Sequence, residues 1–252
     1  LGNLLFQYSS LYGTARRLGR KPVVPDRLRI LNYFHLDTNT SVLARPGASW
    51  MQYPELRASA YDANLITHLE KTDSDAEMVG YFQSWYYFRH VTQDIRKQYT
   101  FSVELLSEVR NTINVAMTTF TANHRRPSVL IGIHVRRGDM TSDFFHWYGY
   151  TTAPPEYIET AMQSMEKQFQ NIMFIVSSDD IEWSERNINA VKRNIYFSRN
   201  HSDVFDLALL TSCDHVIMTV GTFGWWAGFL AGGQVVYYSD FPAPQSSLSR
   251  AF

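Results

Sequence analysis

From Pro127 onward the chain alternates short apolar runs with helical periods, and that alternation constrains its fold more than any other feature. The apolar run Val129–Val135 reads as a buried strand. A helix over 155–169 then leads to a strand at 172–176, a helix over 180–190 to a strand at 194–197, and a helix over 203–212 to a strand at 215–219. A glycine-flanked helix near 223–231 leads to a last strand at 234–238. Strands separated by single helices in units this short are βαβ crossovers, so this half is predicted to be α/β with a parallel sheet. In such sheets ligands bind just beyond the carboxyl ends of the strands.

The first half is less regular. Residues 3–19 place Leu4, Leu5, Tyr8, Leu11, Tyr12, Ala15 and Leu18 on one helical face, and Gly19 ends the pattern. Pro22-Val23-Val24 reads as a short strand, whereas 26–80 has turn residues such as Pro46-Gly47 and few clean periods. Gly80 to Gln83 reads as a strand end. A second helix is predicted over 101–120, with Phe101, Leu105, Val109, Ile113 and Met117 as its buried stripe. The polar, basic stretch from Thr121 to Pro127 marks the expected domain boundary, giving halves of 1–126 and 127–252. Leu1-Gly2-Asn3 reads as a strand-to-helix turn already under way, so a preceding strand is expected and the first half is expected to be cut at its start.

Composition narrows the function classes. The 252 residues are 45% hydrophobic and carry a net charge of -1, which argues against a general nucleic-acid binder. Any anion site must be local. The single cysteine, Cys213, excludes an intrachain disulfide framework and a cysteine-based zinc cluster. No apolar run approaches the roughly 18 to 20 residues that span a bilayer. Asn39-Thr40-Ser41 and Asn200-His201-Ser202 match the glycosylation sequon, a match short enough to arise by chance.

Three polar clusters fall where the strands of the second half should end, and a parallel sheet would gather them on one edge. The first is His134 to Asp139. Side chains alternate along a strand, so His134 and Arg136 should face one way and Arg137 the other. Two guanidinium groups at a strand end suit a phosphate or carboxylate, with a hydrogen-bonded core histidine and a solvated strand end as the plainer alternative. The Arg137-Gly138-Asp139 tripeptide follows a buried strand directly and so is not read as an adhesion motif. The second cluster is Ser177-Ser178-Asp179-Asp180, which could hold a ribose, position a base, or cap the following helix. The third, Thr219 to Gly228, offers small residues, the Thr222 hydroxyl and a helix N-terminus to an anion, with Trp225 and Trp226 assigned to the core.

Several familiar sites are missing: no Walker lysine loop, no Gly-x-Gly-x-x-Gly fingerprint, no Gly-x-Ser-x-Gly elbow and no His-Glu-x-x-His zinc motif. Asp73-Ser74-Asp75 has the form used by metal-dependent sugar transferases, but it lies in a polar run without a preceding apolar strand and reads as a solvated loop.

Taken together, these motifs resemble the α-1,2-fucosyltransferases. The His-x-Arg-Arg-x-Asp signature stands at His134 to Asp139, and the family's opening motif at Gly2, Asn3, Phe6, Gln7 and Tyr8. Gly-Tyr-Phe-Gln-Ser stands at 80–84, Ser-Asp-Asp at 178–180, and the C-terminal block runs from Asp206 to Gly233. Leu4 departs from the glutamine frequent there. The resemblance implies a GT-B-like fold, two Rossmann-like halves facing a cleft, with the donor GDP-fucose mainly on the second half. It further implies that Arg136 binds the β-phosphate, His134 and Asp206 recognise guanine, and Thr222 and Phe223 line the phosphate and base pocket. Arg137, Ser178, Asp179 and Asp180 are counted with the donor contacts, and Asn3 is expected to face the donor phosphate or the acceptor.

The implied reaction is an inverting transfer of fucose to the 2-hydroxyl of a galactose-terminated glycan, without a metal or other cofactor. Arg136 and the helix start near Thr222 would offset the phosphate charge instead. Asp139 and Asp143 are the candidate general bases, with the donor phosphate as a third possibility. A protein O-fucosyltransferase and a catalytically inactive carbohydrate- or nucleotide-binding module are the rival readings. The family also implies a membrane-anchored full-length protein with a luminal Golgi catalytic domain.

Overall fold

The computed structural model describes residues 1–40, 50–57, 59–121, 126–191 and 193–250. Ser41 of the first sequon, the Pro46-Gly47 turn and most of the 121–127 stretch lie outside them. The chain divides into two compact units, residues 1–102 and 103–250. The division falls before the helix Val103–Thr121 rather than after it at 126/127, because that helix packs on a helix of the second unit. Its inward side carries Val109, Ile113 and Ala116, all buried.

In the first unit, α1 (Gly2–Arg17) buries Leu5, Phe6, Tyr8, Tyr12 and Ala15. They meet an aromatic core in which Phe34 lies 5.1 Å from Tyr99 and 5.3 Å from Phe101, ring centre to ring centre. Ser9, buried with them, has its Oγ 2.9 Å from the Tyr99 hydroxyl, which donates to the Leu5 carbonyl at 2.9 Å, whereas Thr14 Oγ1 is buried without a partner among the described residues. The stretch that lacks clean periods contains a βαβ unit. Strand β1 (Met51–Pro54), α2 (Ala63–Glu70) and β2 (Ala76–Val79) form it, with β1 and β2 parallel and Met51 opposite Ala76. Its strands are four residues long and largely exposed, so no apolar run announces them. The strand predicted at Pro22-Val23-Val24 is a single bridge, Val23 to Asn39. Asp73 and Asp75 sit in the exposed loop between α2 and β2, as a solvated loop should. Helix α3 (Thr92–Gln98) completes the described elements of this unit apart from short 3-10 turns.

The second unit begins with α4 (Val103–Thr121) and follows the predicted alternation closely. Strand β3 (Val129–Val135) is followed by α5 (Asp143–Tyr148) and α6 (Pro155–Gln168), then by β4 (Ile172–Ser178) and α7 (Ile181–Asn187). Next come β5 (Asn194–Phe197), α8 (Asp203–Thr211), β6 (His215–Met218), α9 (Thr222–Ala231) and β7 (Val235–Tyr237). The five strands form one parallel sheet in the order β5-β4-β3-β6-β7. Ile131, Ile133 and Val135 face α6, packing with Ile158, Ala161, Met162 and Met165 in a core that also takes Phe174, Val176 and Ile217. The opposite face receives α8 and α9, and Gly132 admits α8 closely: a Cβ there would lie 2.9 Å from Leu210 Cδ2. The chain winds outward from β3 through β4 to β5, then returns to lay β6 on the other side of β3. The crevice between the carboxyl ends of β3 and β6 is therefore the topological switch point, where a parallel sheet opens a ligand site.

Candidate donor site at the switch point

The first and third polar clusters meet in that crevice. The Thr219 amide donates to the His134 carbonyl at 3.0 Å, and the Arg136 amide donates to Thr219 Oγ1 at 2.9 Å. Arg136 Cγ lies 3.8 Å from where a Cβ on Gly221 would stand, so its stem runs beside the start of α9. That start carries no side-chain cap, since Gly221 occupies the capping position with φ +90. A helix N-terminus is an electropositive end rich in amide donors, and here an arginine flanks it.

The second cluster holds the arginines. Asp179 Oδ2 accepts from Arg136 Nη1 at 2.6 Å, while Asp179 Oδ1 accepts from the Arg137 amide at 2.8 Å. Asp139 Oδ1 accepts from Arg136 Nη2 at 2.7 Å. A guanidinium has five N–H donors, so these two bonds fix Arg136 in place and leave donors for an incoming anion. Gly138 is required between them: its φ is +22, and a Cβ would fall inside contact distance of Asp179 Oδ2. The neighbouring Asp180 caps α7 instead, accepting from the Trp183 amide at 3.1 Å, and Ser178 Oγ accepts from the Asp180 amide at 2.9 Å. Of the alternatives that the sequence left open, Asp180 takes the helix cap, while Asp179 holds the two arginines, a task that the sequence did not announce. Arg137 points away from Arg136's partners, its guanidinium carbon 3.9 Å above the Trp183 ring and its Nε 3.5 Å from Asp180 Oδ2. That is the opposite direction that alternation predicts for it.

His134 shares the face that alternation assigns it. It is 5% exposed, and its ring lies 5.0 Å from the Phe223 ring, tilted by 30°. A Cβ on Gly224 would stand 2.7 Å from His134 Nδ1, so α9 approaches the imidazole at van der Waals range. Burial, and then the charge of Arg136, push its pKa down from 6.5 to about 3, so the ring is neutral. Nδ1 is buried without a hydrogen-bond partner. Asp206, on α8, accepts from Ser177 Oγ at 2.8 Å and from Ser198 Oγ at 2.7 Å. Desolvation raises its pKa against the two serine bonds, which lower it.

The candidate bases differ in setting. Asp139 lies in the 3-10 turn Gly138–Thr141, already bonded to Arg136, whereas Asp143 is exposed at the first position of α5. Asn3 belongs to the first unit, where Gln83 Nε2 donates to its Oδ1 at 3.1 Å. Gln7 Nε2 donates to the Gly80 carbonyl at 2.8 Å and Ser10 Oγ to the Phe82 carbonyl at 2.9 Å. The motifs at 2–8 and 80–84, far apart in sequence, thus brace each other. Sequence reasoning quoted Ser177 and Thr219 without giving them a task, and it missed Trp183 and Ser198 altogether. Ser198 ends a four-residue strand and carries no pattern of its own.

A five-stranded parallel sheet with a topological switch point makes this an α/β, GT-B-like protein. Residues 1–250 match glycosyl transferase family 11, and the chain belongs to that family. It is 29% identical over 255 residues to galactoside alpha-(1,2)-fucosyltransferase 2 of Sus scrofa, covering 100% of this chain and 73% of that one. Galactoside alpha-(1,2)-fucosyltransferase 1 of Saimiri boliviensis boliviensis is 30% identical over 254 residues, with 100% and 68% covered. Among solved structures, NodZ alpha-1,6-fucosyltransferase soaked with GDP-fucose superposes with a TM-score of 0.58 at 14% identity, covering 96% of this chain and 93% of that one. POFUT1 in complex with GDP gives a TM-score of 0.54 at 11% identity, with 95% of each chain covered. Both share the fold.

Proposed function

We propose that this chain is a galactoside α-1,2-fucosyltransferase, moving L-fucose from GDP-fucose to the 2-hydroxyl of a terminal galactose with inversion at the anomeric carbon. Its relatives carry that activity in their names, and family membership spans the whole sheet and both motif groups. The observation that carries the reading is Arg136, held by Asp139 and Asp179 beside the start of α9.

In this reading the acceptor oxygen attacks the anomeric carbon, the bond to phosphate breaks, and its electron pair leaves on the β-phosphate. Arg136 and the α9 amides meet that charge where it develops, which is the largest single source of rate in many enzymes. Neutral His134, Phe223 and Asp206 take the guanine, and Thr222 and the Ser178–Asp180 turn complete the donor pocket with Arg137 bracing it. Asp139 is already spent on Arg136, so Asp143 is the carboxylate left to receive the acceptor proton. In this reading no metal or other cofactor is called for, because Arg136 and the start of α9 meet the phosphate charge. No described helix is long and apolar enough to cross a membrane. The family resemblance implies a luminal Golgi setting and a membrane anchor, and both are part of the proposal.

Isothermal titration of GDP with and without EDTA tests the reading. Equal affinity in both is expected, with Arg136→Ala weakening it by about a hundredfold, as loss of charge-assisted phosphate bonds would. Absence of GDP binding, or binding that EDTA abolishes, would overturn it.

A further inference from the structure

Helix α5 leaves the donor loop with two faces. Phe145 and Tyr148, three apart and so on one side, are anchored: Phe145 lies 4.9 Å from Tyr150, Tyr148 stacks 6.2 Å from Tyr150, and the Tyr148 carbonyl accepts from the Leu248 amide at 3.0 Å. Phe144 and Trp147, also three apart, are 68% and 78% exposed, and the Phe144 ring stands edge-on to Phe145 with 5.6 Å between ring centres. Single exposed apolar residues are ordinary, but a paired aromatic face on an anchored helix beside a ligand site calls for an occupant.

The patch is too small for a protein. Two rings offer at most about 400 Å², against about 800 Å² per partner in a stable interface. It is also ill suited to a membrane, since α5 has no Lys or Arg and an interfacial helix relies on them. A pyranose fits: its C–H face carries slight positive charge and lies against the negative face of an aromatic ring. Exposed His146, on the same helix, can bond its hydroxyls. Reach limits which sugar this is. Asp139 touches Arg136, and from Asp139 four extended residues and four helical ones put Trp147 within about 20 Å of it. That ceiling leaves room beyond the β-phosphate for fucose, the terminal galactose and the sugar after it.

We infer that the Phe144–Trp147 face of α5 is the platform for the second sugar of the acceptor, the one to which the terminal galactose is attached. The inference rests on the fucosyl-transfer reading. It makes α5 the element that discriminates between underlying glycan chains.

The test compares Trp147→Ala, Phe144→Ala and Trp147→Phe with the unaltered chain on two acceptors, N-acetyllactosamine and methyl β-galactoside. For the alanine variants KM for the disaccharide is expected to rise about tenfold, the size of one lost aromatic anchor, while kcat, KM for the monosaccharide and GDP affinity stay within twofold. Trp147→Phe should recover most of the loss. An unchanged disaccharide KM, an equal rise for both acceptors, or a loss confined to binding of anionic phosphatidylserine vesicles would each overturn the inference. If the unaltered chain binds no GDP and transfers to neither acceptor, the parent reading fails first, a result distinct from all of these.

Discussion

His134 should make the second unit acid-sensitive in a way that one substitution removes. Its pKa in the fold lies near 3, against 6.5 unfolded, because burial strips its hydration and Arg136 adds a like charge. Between those values the unfolded chain binds a proton that the folded chain does not, so stability rises with pH across the window and is lost as pH falls. At 1.36 kcal/mol per unit, lowering the pH from 7 to 5 costs about 2 kcal/mol, and lowering it to 4 costs about 3 kcal/mol. Those are large fractions of a typical net stability. The assay is urea unfolding followed by tryptophan fluorescence at pH 7 and pH 5, for the unaltered chain and for His134→Asn. Asparagine does not titrate, so the variant should lack the extra loss whatever its stability at pH 7. The other shifted groups, His90 and Asp206, are common to both proteins and cancel in the comparison. A difference between the two pH dependences below about 0.5 kcal/mol would refute the claim that His134 is buried neutral beside Arg136.

Three further outcomes follow from the same geometry. Asp180→Ala should cost about 1 kcal/mol by removing the α7 cap, read by urea unfolding, whereas Asp179→Ala should leave Arg136 held by Asp139 alone and the Arg137 amide unheld and lower kcat/KM at least tenfold, read by transfer kinetics. Gly138→Ala should weaken GDP binding in titration calorimetry, because the new methyl displaces Asp179 from Arg136, while the Tm changes little since the turn is a surface one. Ser177→Ala should destabilise by about 1 to 3 kcal/mol at pH 7 by leaving the Asp206 carboxylate short of a donor. Because the folded pKa of Asp206 is raised, protonation relieves that penalty as pH falls, so unfolding at pH 4 should show a smaller loss.

The second unit was legible because its strands are apolar on both faces and its helices supply the matching period. All five strands stand within two residues of their predicted bounds. The first unit was not, since β1 and β2 lie half-exposed and stabilise each other by backbone pairing that leaves no side-chain pattern. The boundary was misplaced for a related reason: composition marks the polar stretch after α4, but what assigns α4 to a unit is its packing on α8.

Within the site the division is similar. Strand alternation alone put His134 and Arg136 on one face and Arg137 on the other, since a period of two leaves no choice once the strand is known. Motif order alone carried the chain to its family. Only the tertiary structure decided that Asp179 clamps Arg136 while Asp180 caps α7, that Asp139 is bonded to Arg136 and so a poor base, and that Ser177 and Ser198 hold Asp206. Those pairings join residues 8 to 43 positions apart or rest on rotamers at a turn, and no local preference encodes them. Periodicity is written in the order of residues, whereas which carboxylate meets which arginine depends on the register of neighbouring strands, and that exists only once the sheet has formed.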